Sequence, residues 1–129
     1  MSEPVVQVAA AVIERGGRLL LGQRQRGKRH GGLWEFPGGK LLAGESIEGA
    51  LARELEEELG LEVEAVGQVL GRVRDPGSPF EIAFVEVAAT GTPRALEHAE
   101  VAWFDAAAIA RLDLAPADRQ FVLGWLKAP

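Results

Sequence analysis

The stretch Gly39–Leu61, GKLLAGESIEGALARELEEELGL, decides how the rest of the chain is read. Its second half has a helical period: Ile47, Leu51, Leu55 and Leu59 recur every fourth residue, the spacing that lines up side chains on one face of a helix. Ser46 stands where an N-cap is wanted and Gly60 where a helix ends in the left-handed conformation, so the spacing predicts a helix over residues 47–59. At 100° per residue, Glu54, Glu57 and Glu58 fall within an arc of about 100° beside the leucines. Like charges so placed repel by a few tenths of a kcal/mol per pair, a cost that a cation among them removes. Hard oxygen donors at this density suit Mg²⁺ or Mn²⁺ bridging to phosphates. Without a cation, the same face is a solvated acidic surface. Glu45 precedes the helix and Arg53 lies inside it. Ahead of both, Pro37-Gly38-Gly39 is expected to stop any strand and to let a backbone carbonyl approach a ligand closely.

Toward the N-terminus, Val5 to Ile13 reads as a mostly apolar strand, and Arg15-Gly16-Gly17 as a hairpin turn into a second strand, Arg18 to Gln23. A basic loop follows from Arg24 to His30, and Leu33 to Phe36 then alternates Trp34 and Phe36 against Glu35. Beyond the helix, strands over about 63–74 and 80–87 flank the turn Asp75-Pro76-Gly77-Ser78-Pro79, and a short strand is expected near 101–104. Pro116 suits the first position of a closing helix whose apolar face is Phe121, Val122, Trp125 and Leu126. Strands enclosing one central helix, with a second helix at the end, imply a mixed α/β sandwich.

Composition agrees. With 129 residues, 47% apolar and 26% charged, the chain is expected to form one domain over residues 1–129, burying roughly two-thirds of its unfolded surface. The absence of cysteine excludes disulfides, a cysteine nucleophile, Cys-ligated zinc and iron–sulfur clusters. The net charge of −5 argues against a general nucleic-acid binder, whose affinity rests on Lys and Arg. No apolar run approaches the ~20 residues of a membrane span, and Met1-Ser2-Glu3-Pro4 lacks the order of a signal peptide. A soluble, cytoplasmic protein without membrane partners, monomer or homodimer, is expected.

The spacing of Gly39, Glu45, Arg53-Glu54-Leu55, Glu57-Glu58 and Gly60-Leu61, nine defined positions over 23 residues, resembles the Nudix box without a departure. The resemblance implies a Nudix-type α/β/α sandwich with a mixed β-sheet, in which the box forms a catalytic loop-helix-loop, and an enzyme that cleaves phosphoanhydrides of nucleoside diphosphate derivatives. Trp34-Glu35-Phe36-Pro37-Gly38-Gly39-Lys40 further resembles the MutT-like branch, nucleoside triphosphate pyrophosphatases that remove oxidised or unwanted nucleotides. By that likeness Glu54, Glu57 and Glu58, joined by the carbonyl of Gly38, would hold Mg²⁺ or Mn²⁺, and Arg53 would orient the glutamates. Glu97, in Glu97-His98-Ala99-Glu100, resembles a loop glutamate that acts as metal ligand or general base, with Glu100 near enough to be the equivalent. Arg24 resembles a phosphate-contacting arginine, whereas Arg26, Lys28 and Arg29 read as solvated charges. Phe36 is the aromatic expected to approach the ligand, and Asp118, in Leu114-Ala115-Pro116-Ala117-Asp118-Arg119, would read the base or complement the helix dipole. His30 and His98 lack metal-ligand spacing and read as surface residues.

The substrate implied is 8-oxo-dGTP or a related (d)NTP. The alternatives are CTP or dCTP, ADP-ribose, for which Pro76 is explained equally by its turn, and a non-catalytic ligand-binding module.

Overall fold

The structure is a computed structural model and describes residues 4–126; the reading of Met1-Ser2-Glu3 and the side chain of Leu126 lie outside the described residues. Its elements run β1 (Val6–Val12), β2 (Glu14–Arg15), β3 (Arg18–Gln23), β4 (Trp34–Glu35), β5 (Gly38–Lys40), α1 (Ile47–Leu59), β6 (Glu62–Arg74), β7 (Phe80–Thr90), β8 (Glu100–Phe104), α2 (Ala106–Arg111) and α3 (Pro116–Leu126). One sheet has the order β5-β1-β7-β6, with β1 and β7 parallel and the other pairs antiparallel. In the second sheet β3 pairs with β2, β4 and β8.

β1 is central and buried on both faces, so its residues divide between two cores. Ala9, Ala11 and Ile13 pack with Leu51, Leu55 and Leu59 of α1, while Ala10 and Val12 face Phe84, Phe121 and Val122 on the side of α3. The result is helix on sheet on helix, the α/β/α layering. Methyl-sized side chains at Ala9 and Ala11 leave room for the leucines of α1, all three of which are fully buried.

α1 has the predicted limits. The Ser46 hydroxyl accepts from the Gly49 N–H at 3.0 Å, and Gly60 caps the other end at φ 68°, a conformation glycine adopts without strain. β3 and the start of α3 also fall where the sequence puts them, while β7 continues to Thr90, past the expected end.

Two expectations fail. Pro37-Gly38-Gly39 does not end strand pairing: Pro37 closes β4, but Gly38–Lys40 pairs at once with β1 in the other sheet. Gly38 makes this possible, since at φ 154° a Cβ there would lie 1.9 Å from the Ala9 carbonyl oxygen. The helix α2 was also not expected. Asp105 caps it, accepting from the Ala108 N–H at 2.8 Å, and Ile109 anchors it in the core.

Leu55 is the hub between α1 and the sheet. Leu55→Ala is expected to lower unfolding free energy by about 2–5 kcal/mol, read as a fall in the guanidinium midpoint.

Candidate active site

The segment Trp34–Lys40 crosses from one sheet to the other, and the site lies at the crossing. Glu35 remains with β3, through its register with Gly22. Gly38 lies opposite Ala10 of β1, where its backbone N–H donates to Glu58 Oε2 at 3.1 Å. That carboxylate, on the inner face of α1, is 7% exposed. Burial first, then the charges of Glu35, Glu54 and Glu97, pushes its pKa up to about 9.

Glu54, one turn earlier, lies against Gly39, whose bare α-carbon admits it: a Cβ there would be 2.4 Å from the Glu54 carboxyl carbon. Glu57 points outward, with 54% of its side chain exposed and its carboxylate 3.7 Å from Arg53. Arg53 ties the acidic segment together. It donates to both Glu45 oxygens at 2.9 and 3.0 Å, to Glu54 at 2.6 Å and to the Lys40 carbonyl at 2.9 Å. These bonds, with the Leu42 N–H on Glu45 Oε1, draw the Glu45 pKa down to about 2. The same pairing holds the guanidinium charged.

Glu97 joins Glu35, Glu58, His98, Arg24 and Lys28 around a small cavity of about 70 Å³. Glu100 instead opens β8, exposed and opposite Gln23. Arg24 follows β3 directly; its Nε donates to the Arg29 carbonyl at 2.6 Å and its Nη1 to Glu35 at 3.2 and 3.4 Å. Arg29 is not merely solvated, since its guanidinium lies 3.0 Å from Asp75, a buried carboxylate. Arg26 and Lys28 are exposed.

His98 is a correction to the sequence reading. It is 6% exposed, with Nε2 2.9 Å from Glu35 Oε2 and 4.0 Å from Glu58 Oε1. Its ring occupies the hollow over Gly22, which has no counterpart in any sequence spacing. His30 also departs from a plain surface position: half-buried, at φ 59°, it lines the main cavity. Glu35 was placed only by alternation, and Asp75 only as a turn residue.

The cavity that His30 lines, about 380 Å³, is also lined by Arg24, Glu35, Gly38, Glu58, Phe80, Ala117 and Asp118. Phe36 lines it while only 3% exposed, its ring edge-on to Phe84 and Phe121 in the core. Its N–H donates to Asp118 Oδ2 at 2.9 Å. Asp118 is buried, 5% exposed; desolvation, then the Glu35 charge, raises its pKa well above the usual aspartate range.

The NUDIX domain family matches residues 3–124. The chain belongs to the Nudix family. This Nudix protein is 43% identical over 122 residues to a Mycobacterium tuberculosis protein named "Putative 8-oxo-dGTP diphosphatase 2", covering 92% of this chain and 84% of that one. It is 40% identical over 116 residues to the CTP pyrophosphohydrolase of Escherichia coli, covering 88% of this chain and 86% of that one. Among solved structures, the E. coli ORF135 protein superimposes with a TM-score of 0.81 at 36% identity, covering 95% of this chain and 89% of that one. A MutT Nudix hydrolase from Burkholderia pseudomallei gives 0.74 at 31%, covering 94% and 98%. The chain is a Nudix hydrolase acting on phosphoanhydride bonds. No helix among the described residues is long and apolar enough to cross a membrane.

The Asp118 environment yields a pH dependence with a definite sign. With the folded-state pKa raised above the ordinary value of 3.8, this residue's contribution to stability falls as pH rises above about 4. Asp118→Asn, which keeps an acceptor for the Phe36 N–H, removes that loss. The Tm difference, variant minus wild type, is expected to grow from pH 4 to 8 in thermal melts; a constant difference would show that Asp118 is ionised in the fold.

Proposed function

We propose that the protein is a divalent-cation-dependent nucleoside triphosphate pyrophosphatase of MutT type, acting on 8-oxo-dGTP or a related (d)NTP in the free nucleotide pool and releasing the nucleoside monophosphate and pyrophosphate. The observation that carries this reading is the buried Glu58, surrounded by Glu35, Glu54 and Glu97 charges, at one end of a cavity that Asp118 helps to line. Among the described residues Glu58 has no lysine or arginine partner, and an all-oxygen donor set fits Mg²⁺ or Mn²⁺. Glu54, Glu57 and Glu58, with the Gly38 carbonyl, would hold the ion. When bound, the ion neutralises phosphate oxygens and lowers the pKa of a water.

The side chains then divide the work. Arg53 keeps Glu54 directed inward by holding it at 2.6 Å. Glu97, at the small cavity beside Glu58, is the group assigned to take the proton from the attacking water. Arg24, which lines the same cavity as Asp118, is the group assigned to meet the phosphate chain and offset its charge. Phe36 and Asp118 form the end assigned to the base. Asp118 Oδ2 accepts from Phe36, which leaves Oδ1 for a base. A carboxyl oxygen so placed can pair with a donor on a base edge. The N1–H and amino group of a guanine-type edge supply such donors, and so does the amino group of cytosine. For that reason CTP or dCTP is the second reading, favoured by the relative named CTP pyrophosphohydrolase.

The reading is tested by assaying 8-oxo-dGTP, dGTP, dCTP and CTP with Mg²⁺ for phosphate against pyrophosphate release. Pyrophosphate from one nucleotide class is expected; phosphate release alone overturns the assigned bond. Glu58→Gln is expected to lower kcat by at least about a hundredfold while folding normally. Asp118→Ala is expected to flatten the substrate ranking, because the preferred base loses its paired bonds. Near-normal turnover of Glu58→Gln at saturating Mg²⁺ would remove Glu58 from the metal site.

A further inference from the structure

His98 reaches the site from the loop before β8, and the sheet is shaped to receive it. Gly22 of β3 lies across from Glu35 of β4 on one side and Val101 of β8 on the other. The row therefore has a hole where the central side chain would stand. The His98 ring fills it so closely that a Cβ on Gly22 would lie 2.5 Å from His98 Cδ2. Seated there, Nε2 meets Glu35 Oε2 at 2.9 Å. The other ring nitrogen, Nδ1, is buried without a hydrogen-bond partner. A proton on Nδ1 would be stranded, so the tautomer with hydrogen on Nε2 is the one the surroundings satisfy, and Nε2–H donates to Glu35.

This bond settles how Glu35 is shared. Its carboxylate lies within 4.8 Å of an oxygen of Glu58, whose Oε1 is 4.0 Å from the same Nε2, and it accepts from Arg24 Nη1 at 3.2 Å. With Oε2 engaged by His98, Oε1 is the nearer oxygen to Arg24. Arg24 is thereby fixed by Nε on the Arg29 carbonyl and by Nη1 on Glu35. Its Nη2 has no side-chain or backbone acceptor among the described residues and is the nitrogen left for a ligand.

We propose that His98, seated in the notch at Gly22, is a positioning residue for hydrolysis: its Nε2–H fixes the Glu35 carboxylate beside Glu58 and so orients Arg24 toward the phosphate chain. The proposal rests on the reading of Arg24 as a phosphate contact. Volume and hydrogen bonding can be separated by two variants. His98→Phe fills the notch without a donor, whereas His98→Gln restores an N–H at similar reach. Gly22→Ala expels the ring from the other side.

The test pairs steady-state kinetics with NMR of the nucleotide-free protein. Using Mg²⁺ and whichever of 8-oxo-dGTP or dCTP the enzyme turns over, His98→Phe and Gly22→Ala are expected to raise KM about tenfold, the worth of one well-placed hydrogen bond, and to change kcat less than about threefold. His98→Gln is expected to stay within about threefold of wild type in both. In the ¹H–¹⁵N spectrum the Arg24 Nε–H resonance should move in His98→Phe and Gly22→Ala and return in His98→Gln. An unmoved resonance in folded His98→Phe overturns the positioning role, as does a His98→Gln variant no better than His98→Phe, which would leave the ring as filler. A resonance that moves while KM stays at the wild-type value overturns instead the phosphate role of Arg24, and the proposal falls with it.

Discussion

A carboxylate held out of water next to other carboxylates is the constraint around which this structure is arranged. Glu58 is on the inner face of α1, with one backbone N–H for a partner. Desolvation of such a group costs several kcal/mol if it stays charged and unpaired. Elsewhere in the acidic segment Arg53 pairs with Glu45 and Glu54 and binds the Lys40 carbonyl. The segment is thus divided into carboxylates that Arg53 pairs and one, Glu58, that it does not. Demand for a cation is concentrated on the side that faces the cavity, and one arginine supplies the distinction.

The two sheets make that interior possible. A single extended segment contributes Glu35 to one sheet and Gly38 to the other, with Phe36 and Pro37 between them turned into the core. Groups with different tasks therefore come from adjacent residues yet stand on separate supports. Glu35 is braced by β3 and His98, and the Gly38 backbone by β1. Positions held by strands and caps shift less than positions in loops, which suits a site that must bring carboxylates together against their repulsion.

How much of this could be read from the sequence depends on the range of the interaction. The helix at 47–59 was legible to the residue because its period, its Ser46 cap and its Gly60 terminus are all local and agree. The acidic face followed from helical geometry alone, whereas the role of Arg53 came with the resemblance to the Nudix box. β5 was hidden because Pro-Gly-Gly has the local chemistry of a turn, while the pairing with β1 is decided by a partner 28 to 32 residues away. α2 was hidden because six residues, four of them alanine, carry no amphipathic period. His98 could not be found at all: its burial depends on a missing side chain at Gly22, and a glycine within a strand does not announce what fills it. Asp75 was legible as a turn residue, but its pairing with Arg29 joins two loops that only the fold brings together.

The far wall of the cavity is part of the hydrophobic core. Phe36 gives its N–H to Asp118 and its ring to the cluster of Phe84 and Phe121, and Phe121 stacks in turn on Phe84 at 4.2 Å and on Trp125 at 5.7 Å. Any change in the floor is therefore also a change in packing, and is limited by what the fold can bear. The rim is under no such restriction: Arg29, His30 and Phe80 line the same cavity from loops and a strand end. A substitution meant to change selectivity is accordingly better placed at the rim, where it leaves the packing under the cavity untouched.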